Sequence, residues 1–290
     1  MVGPKLKRTM VNYIRDSYRM SCSRACRILN LQKATFYYRE VEDAGEIKLR
    51  NRLKELADKH PGFGLRTLHE IAKREDLVVN HKRTERIYKE EKLSLRLKKK
   101  NKRSRHLRAA QVPPDAPLKT WSMDFVHDRC FSGRKIKCLT VIDQFSKNCP
   151  MVNVGTTMTG AEVARALDSL KIKIGLPEVI FVDNGPEFSG KDLGLWAMKN
   201  NVKLHFIEPG KPTQNAFIES FNGKFRAQCL NQHWFSTLEE AKVLIEEWRK
   251  EYNNFRPHSS LNGLTPEEFT RQFEMKKING FDQDVRLKVV

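Results

Sequence analysis

Two hydrophobic periods divide this chain. Through about residue 97 the apolar positions return every three or four residues, the repeat of a helix with one buried face. Leu49, Leu53 and Leu56 stripe one helix, the word HPGFG at 60–64 breaks it, and Leu65, Leu68, Ile71 and Ala72 stripe the next. Asn80 opens a third helix, with Ile87 on its apolar side and Lys82, Arg83, Arg86 and Lys89 on a basic one. Ahead of these, residues 7–18 read as a helix and Ala25, Ile28 and Leu29 as an apolar face. Residues 30–32 can turn, and 35–39 begin another helix. Both groups have helix-turn-helix spacing. Phe36, Tyr37 and Tyr38 read as packing of the small front unit, with DNA contact as the alternative.

From residue 119 the period shortens. TWSMDFVHD, RKIKCLTVIDQFS and NCPMVNVGTT predict three strands in an antiparallel meander, with turns at 132–133 and 147–148. Residues 159–174 come next as a helix with Val163, Ala166, Leu167 and Leu170 on one side, ended by GLP. EVIFVDNGPEF is a buried strand that stops at Gly185 and Pro186, succeeded by a helix near 190–200 and the strand KLHFIEP. In NAFIESFNGKFRAQCL, residues 215–230, the stripe Ile218, Phe221, Phe225 and Cys229 leaves Asn215, Glu219, Asn222 and Arg226 on one neighbouring face. This places Glu219 beside the core. Residues 237–254 are amphipathic through Leu238, Ala241, Leu244, Ile245 and Trp248, and Thr265 to Glu268 spell a capping box with proline at the first helical position. Arg256 and His258, between the two, read equally as DNA contacts and as a solvated loop.

Three antiparallel strands, helix, strand, helix, strand, helix is the order of a ribonuclease-H-like α/β core, a mixed five-stranded sheet with helices, here preceded by small all-α helix-turn-helix units. The expected units are 1–45, helical and helix-turn-helix-like; 46–97, a second such unit that binds DNA; 98–117, a basic linker containing proline; 118–232, the α/β core; and 233–290, a helical extension.

Charge adds a partner to this outline. The formal charge is +19, of which residues 1–112 carry +17 and residues 113–290 only +2. A basic front joined to a near-neutral domain points to a polyanion, and nucleic acid is the obvious one. The last helix of the second unit would enter the major groove, with Lys82, Arg83 and Arg86 toward the DNA. Residues 96–108 hold eight basic residues and no acid. Among them Lys98, Lys99, Lys100, Lys102 and Arg103 form a tether suited to sequence-independent phosphate contact. Six cysteines show no CxxC pair, so reduced thiols are expected rather than a metal cluster. No apolar run approaches a membrane span and no signal peptide is legible, which predicts no membrane partner and a cytoplasmic, nucleoid-associated bacterial protein.

Chemistry enters with the acids. Asp124 lies inside the first strand between Met123 and Phe125, and Asp183 closes the apolar run 179–182 at the carboxyl end of the fourth. Taken alone, Asp124 reads as well as an acceptor for backbone amides at a strand distortion, and Asp183 as a cap for the turn before Gly185. Buried carboxylates need basic partners or metal ions, however, and Glu219 supplies a third. Three carboxylates suit Mg2+ or Mn2+ rather than zinc. Two such ions about 4 Å apart would hold the attacking and leaving oxygens of a displacement at phosphorus. Asp128 and Asp143 are rival strand acids, of which Asp143 reads as structural or supporting.

The words WSMDFVHD, FVDNGPEF, GKPTQNAFIESFNGKFRAQCL and YNNFRPHSSLNGLTPEEF carry a resemblance. Between Asp183 and Glu219 stand 35 residues, and Arg226 lies seven beyond the glutamate. The set resembles DDE transposases of bacterial insertion sequences, in particular the second-frame product of the frameshifting family, and more loosely the retroviral integrases. The resemblance covers residues 46–270. It implies that Asp124, Asp183 and Glu219 form the catalytic, metal-binding triad and that Arg226, with Asn222 one turn before it, contacts the DNA end. It also implies metal-dependent cleavage at the ends of an element and attack by the freed 3′-hydroxyl on target DNA. The implied partners are double-stranded DNA, further copies of the chain in a synaptic homo-oligomer, and a first-frame partner or fusion. Two other functions remain open: a ribonuclease-H-like nuclease without strand transfer, and a catalytically silent DNA-binding regulator.

Overall fold

The computed structural model describes residues 3–38, 43–95, 114–208 and 215–286, with side chains of the last helix through residue 277. By contacts the chain divides into two units, 1–48 and 49–290. The first holds α1 (Pro4–Tyr18), α2 (Cys22–Ile28) and α3 (Lys33–Tyr37) around Val11, Ala25 and Cys26. Phe36 is partly buried on this core, whereas Tyr37 and Tyr38 are exposed. Ile28, expected on the apolar face, is exposed as well, because Leu29 and Leu31 fill that side. α4 (Ala44–Lys59) runs through the boundary expected at 45–46.

In the second unit, Leu49, Leu53 and Leu56 of α4 pack with α5 (Leu65–Arg74) and α6 (His81–Glu90) around Leu68, Ile71, Ala72 and Ile87. Gly64 and Asn80 stand at the two N-caps, and Asn80 accepts the Lys82 N–H at 3.0 Å. This helical group is built onto the rest of its unit rather than separated from it. Arg74 reaches Glu268 at 2.7 Å, His60 reaches Glu251 at 2.9 Å, and Gln228 donates to the Gly62 carbonyl at 3.1 Å.

Five strands form one sheet in the order β3-β2-β1-β4-β5. β1 (Thr120–Arg129), β2 (Lys135–Asp143) and β3 (Met151–Gly155) make the antiparallel meander; β4 (Val179–Val182) and β5 (Lys203–Phe206) add in parallel. Strand alternation sorts the side chains. Trp121, Met123, Leu139, Val141, Ile180 and Val182 face α7 (Gly160–Ile174), α8 (Pro186–Ser189) and α9 (Lys191–Lys199). Val126, Ile136, Cys138 and Ile142 face α10 (Ala216–Gln228) and α11 (Leu238–Asn254). The sheet is therefore sandwiched between helices. α11, expected in a C-terminal extension, is part of the sandwich, since Ile245, Trp248 and Tyr252 share the core of Phe221 and Phe225. Thr265 and Glu268 close the expected capping box at the start of α12 (Pro266–Arg286), with bonds of 2.8 and 3.2 Å.

Candidate active site

Asp124 belongs to the register of Ser122 and Val126, so the strand presents it to the α10 side of the sheet. Its partner across the ladder is Thr140. Above both lies Asn222, whose Nδ2 donates to Asp124 Oδ2 at 2.8 Å. The Thr140 hydroxyl reaches Asn222 Oδ1 at 2.9 Å and the Asp124 carbonyl at 3.0 Å, donating to one at a time. Asp124 Oδ1 accepts the Phe125 N–H at 2.7 Å.

Those donors favour the ionised carboxylate, yet its pKa is pushed up to about 6. Burial is the largest cause, and the negative charges of Asp183 and Glu219 push the same way. Asp183 and Glu219 are thus both within electrostatic reach of Asp124. Asp183 comes directly after the last residue of β4, and its Oδ1 accepts the Gly185 N–H at 3.1 Å, so the turn-capping role is real and coexists with proximity to Asp124. A Cβ on Gly185 would lie 3.0 Å from Asp183 Oδ1 and 3.2 Å from Glu187 Oε2, so a larger residue there would make both carboxylates shift.

Two expectations about burial need correction. Glu219 and Asp183 are exposed. α10 is seated by Ile218, Phe221 and Phe225 in such a rotation that Asn222, rather than Glu219, sits over Asp124; Asp183 escapes burial by lying one residue past its strand. Asp143 is buried and structural: it accepts Ser146 N at 2.8 Å, Ser146 Oγ at 2.6 Å and Leu118 N at 3.2 Å. Asp128 accepts its neighbour Arg129 N at 2.8 Å.

Among the described residues no three of His, Cys, Asp and Glu stand close enough to hold one metal ion. The fit to a metal is one of donor chemistry and charge. The candidate donors are carboxylate oxygens, and Asp124 carries a like-charge penalty that a divalent cation would relieve. The raised value also makes folding stability depend on pH. Below about pH 4 Asp124 is protonated in both the folded and unfolded states. Between about pH 4 and 6 the folded state keeps a proton that the unfolded state loses, so the carboxyl subtracts stability as pH rises through that window and fully above it. Asp124→Asn is expected to match the wild type at pH 4 and to exceed it at pH 7.5 by up to about 2 kcal/mol, screening at the partly exposed carboxyl allowed for. Urea unfolding at the two pH values checks this, and a difference that does not grow with pH contradicts the assignment.

The predicted DNA-facing residues differ in their surroundings. Arg226 is exposed and donates to the His127 carbonyl at 2.8 Å, tying α10 to β1. Asn222, expected to face DNA, spends its amide on Asp124 and Thr140. On α6, Lys82 is exposed, Arg83 is half-buried, and Arg86 donates to Glu90 at 3.0 Å. Lys98, Lys99, Lys100, Lys102 and Arg103 lie outside the described residues. Thr140 was not singled out in the sequence; a lone threonine inside the apolar run of β2 was the available signal. Lys137 was missed too: it pairs with Glu187 and its Nζ lies 4.1 Å from the centroid of the Phe125 ring, against the strand that carries Asp124. Arg256 and His258 do not stand in a solvated loop: His258 is buried and Arg256 half-buried, because the loop folds back against α10 and α11.

A mixed β3-β2-β1-β4-β5 sheet between helical layers, with acids on β1, after β4 and on α10, defines a ribonuclease-H-like core. Two integrase core domain families match it, over residues 114–212 and 200–266. An insertion element IS407 protein of Burkholderia multivorans is 45% identical over 88% of this chain and 92% of its own length. An IS476 protein of Xanthomonas euvesicatoria is 40% identical over 96% of this chain and 80% of its own. The chain therefore belongs to the integrase-core transposases of bacterial insertion elements, in the retroviral-integrase superfamily, and is an integrase-like protein of DNA transposition. A more distant relative, the InsK protein of IS150 in Escherichia coli, is 24% identical over 93% of the chain. Among solved structures, a chain of the simian T-cell lymphotropic virus intasome shares the fold with a TM-score of 0.50 at 16% identity, covering 76% of this chain and 74% of its own. Among the described residues no helix is long and apolar enough to cross a membrane.

Proposed function

We propose that this protein cuts a phosphodiester at each end of its insertion element and joins the freed 3′-hydroxyl to target DNA. Asp124, Asp183 and Glu219 are the metal ligands and catalytic carboxylates. The observation that carries the reading is the place of Asp124 on the central strand, held by Asn222, where burial and the charges of Asp183 and Glu219 raise its pKa. When bound, Mg2+ or Mn2+, two ions per site, supplies Lewis-acid stabilisation of the oxygens attacking and leaving phosphorus.

The remaining roles belong to the chain itself. Asn222 holds Asp124 Oδ2 and so fixes which lone pairs of the carboxylate point outward. Thr140 in turn sets the Asn222 amide. Exposure of Glu219 and Asp183 leaves their carboxylate oxygens accessible to a divalent cation, and Arg226, on the same face of α10, meets the DNA end. Lys82, Arg83 and Arg86 read the duplex from α6, and the basic segment that includes Lys98 and Arg103 adds phosphate contacts. Synapsis of two ends calls for a homo-oligomer, acting alone or with a first-frame partner or fusion.

Strand transfer is what separates this reading from a simple nuclease. Incubated with Mg2+, a labelled duplex bearing an element end with a free 3′-hydroxyl and an unlabelled plasmid target, the protein is expected to produce plasmid-joined label. Cleavage of DNA without any joined product would replace transposase by nuclease.

A further inference from the structure

A cavity of about 570 Å3 opens where α5, the start of α6, α10 and the 256–263 loop meet. Its walls bring Arg66, Lys224 and Arg256 together with one carboxylate, Glu70. None of the three cations has a carboxylate partner among the described residues. Lys224 Nζ donates only to Ser220 Oγ at 3.1 Å, and Arg256 Nε to Gln228 Oε1 at 3.0 Å. His258, also on the wall, is 3% exposed, and its Nε2 is buried with no hydrogen-bond partner.

Two of these cations, Lys224 and Arg256, are half-buried and repel each other, while Arg66 stands exposed at the cavity's rim; Arg256 is held by the Pro257 carbonyl at 3.4 Å and the Phe63 ring as well as by Gln228. The strain registers on the groups involved. Burial and then Arg256 push Lys224 down to about 8. Burial, then Arg256 and Lys224, push His258 down to about 3. A surface basic cluster that water solvates would show neither effect, nor a buried imidazole nitrogen without a partner. Three cations and a buried imidazole against a single carboxylate, Glu70, suit the cavity to an anion. Lys224 lies five residues after Glu219, about 140° around the helix axis, so the cavity is on a different side of α10 from the acids. Lys82, exposed next to the wall residue His81, continues the basic surface along α6.

We propose that this cavity takes a backbone phosphate of double-stranded DNA, gripped by Arg66, Lys224 and Arg256 at the junction of α5 and α6 with the α/β core. The inference rests on the proposed action on DNA. A phosphate there offsets the charges of Arg256 and Lys224, which add to burial in keeping His258 uncharged, and offers an acceptor to a protonated Nε2. Because the two arginines, the lysine and the histidine come from α5, α10 and the 256–258 turn, the phosphate would lock the helical group to the core in the register that leads the duplex on to the acids.

The test uses the full chain and needs no catalysis. Anisotropy of a labelled duplex in EDTA is measured against salt for the wild type, for Arg66→Gln/Lys224→Gln, and for Lys191→Gln/Lys199→Gln. The last pair removes the same charge from α9, across the sheet. The cavity variant is expected to bind about tenfold more weakly and to lose about 1 from the salt slope, one neutralised phosphate, while the α9 variant changes little. Lys224→Gln alone is expected to raise the melting temperature of the free protein, because it removes a repelled charge, while weakening DNA binding. Equal losses in the two double variants, or an unchanged slope in the cavity variant, overturn the proposal. Inorganic phosphate that stabilises the wild type, with DNA affinity untouched by the cavity variant, overturns it too, in favour of a free-anion site. A wild type that binds the duplex but yields no joined product, with the expected loss of binding in the cavity variant, counts instead against the transposase reading and leaves this one standing.

Discussion

Glu219→Gln will lose Mg2+-dependent cleavage and joining by about 10^3-fold or more, equivalent to about 4 kcal/mol of barrier, while DNA retention stays within about twofold. The substitution is nearly isosteric and falls on an exposed position of α10, so the fold has no reason to respond. It deletes one of three negative charges and, with it, a donor for the divalent cation. The same change removes a cause of the raised Asp124 pKa, so Asp124 should titrate lower in the variant. A gel assay for joined product and an anisotropy titration on the same preparation decide the matter. Strand transfer that persists would remove Glu219 from the catalytic set, and a parallel loss of DNA binding would assign it to recognition.

Phe221→Ala should cost about 3–5 kcal/mol of folding stability. Phe221 is fully buried, stacks 6.2 Å from Phe225 and makes edge contacts with Trp248 at 5.7 Å and Tyr252 at 5.0 Å. It is therefore the point where α10 is fixed to both the sheet and α11. The residue after it is Asn222, so loosening this anchor also releases the amide that holds Asp124. The expected signature is a lowered urea midpoint with an unchanged m-value. Activity should fall at temperatures where the variant is still folded. A loss below about 1 kcal/mol would mean that α10 is held mainly elsewhere, and the placement of Glu219 would need another explanation.

Some of this protein was legible in the order of its residues. Period-2 alternation in 120–129 and 135–143, helical stripes in 160–174 and 216–228, and the glycine and proline stops between them gave the strands, helices and their sequence. The capping box at Thr265 was readable because it depends only on neighbours three residues apart. Local chemistry likewise put Asp183 at a strand end before a glycine turn, and charge counting located the basic front.

The tertiary structure decided whatever depended on distant residues. Helical spacing said that Glu219 and Asn222 share a neighbourhood but could not give the rotation of α10, which Phe221, Phe225 and Trp248 set by packing; hence Asn222, not Glu219, lies on Asp124. Nothing local marked Thr140 as the residue that steadies that amide, since its importance comes from cross-strand register. The loop of Arg256 and His258 looked ambiguous because its surroundings come from α5, α10 and α11, far away in sequence, and those elements bury it. The sequence by itself determined the elements, the acids and the excess of positive charge, all set by short-range pattern and composition. Which carboxylate is buried, which amide holds it, and where unpaired cations collect were fixed only when the helices closed over the sheet, because burial and electrostatics are properties of the assembled core.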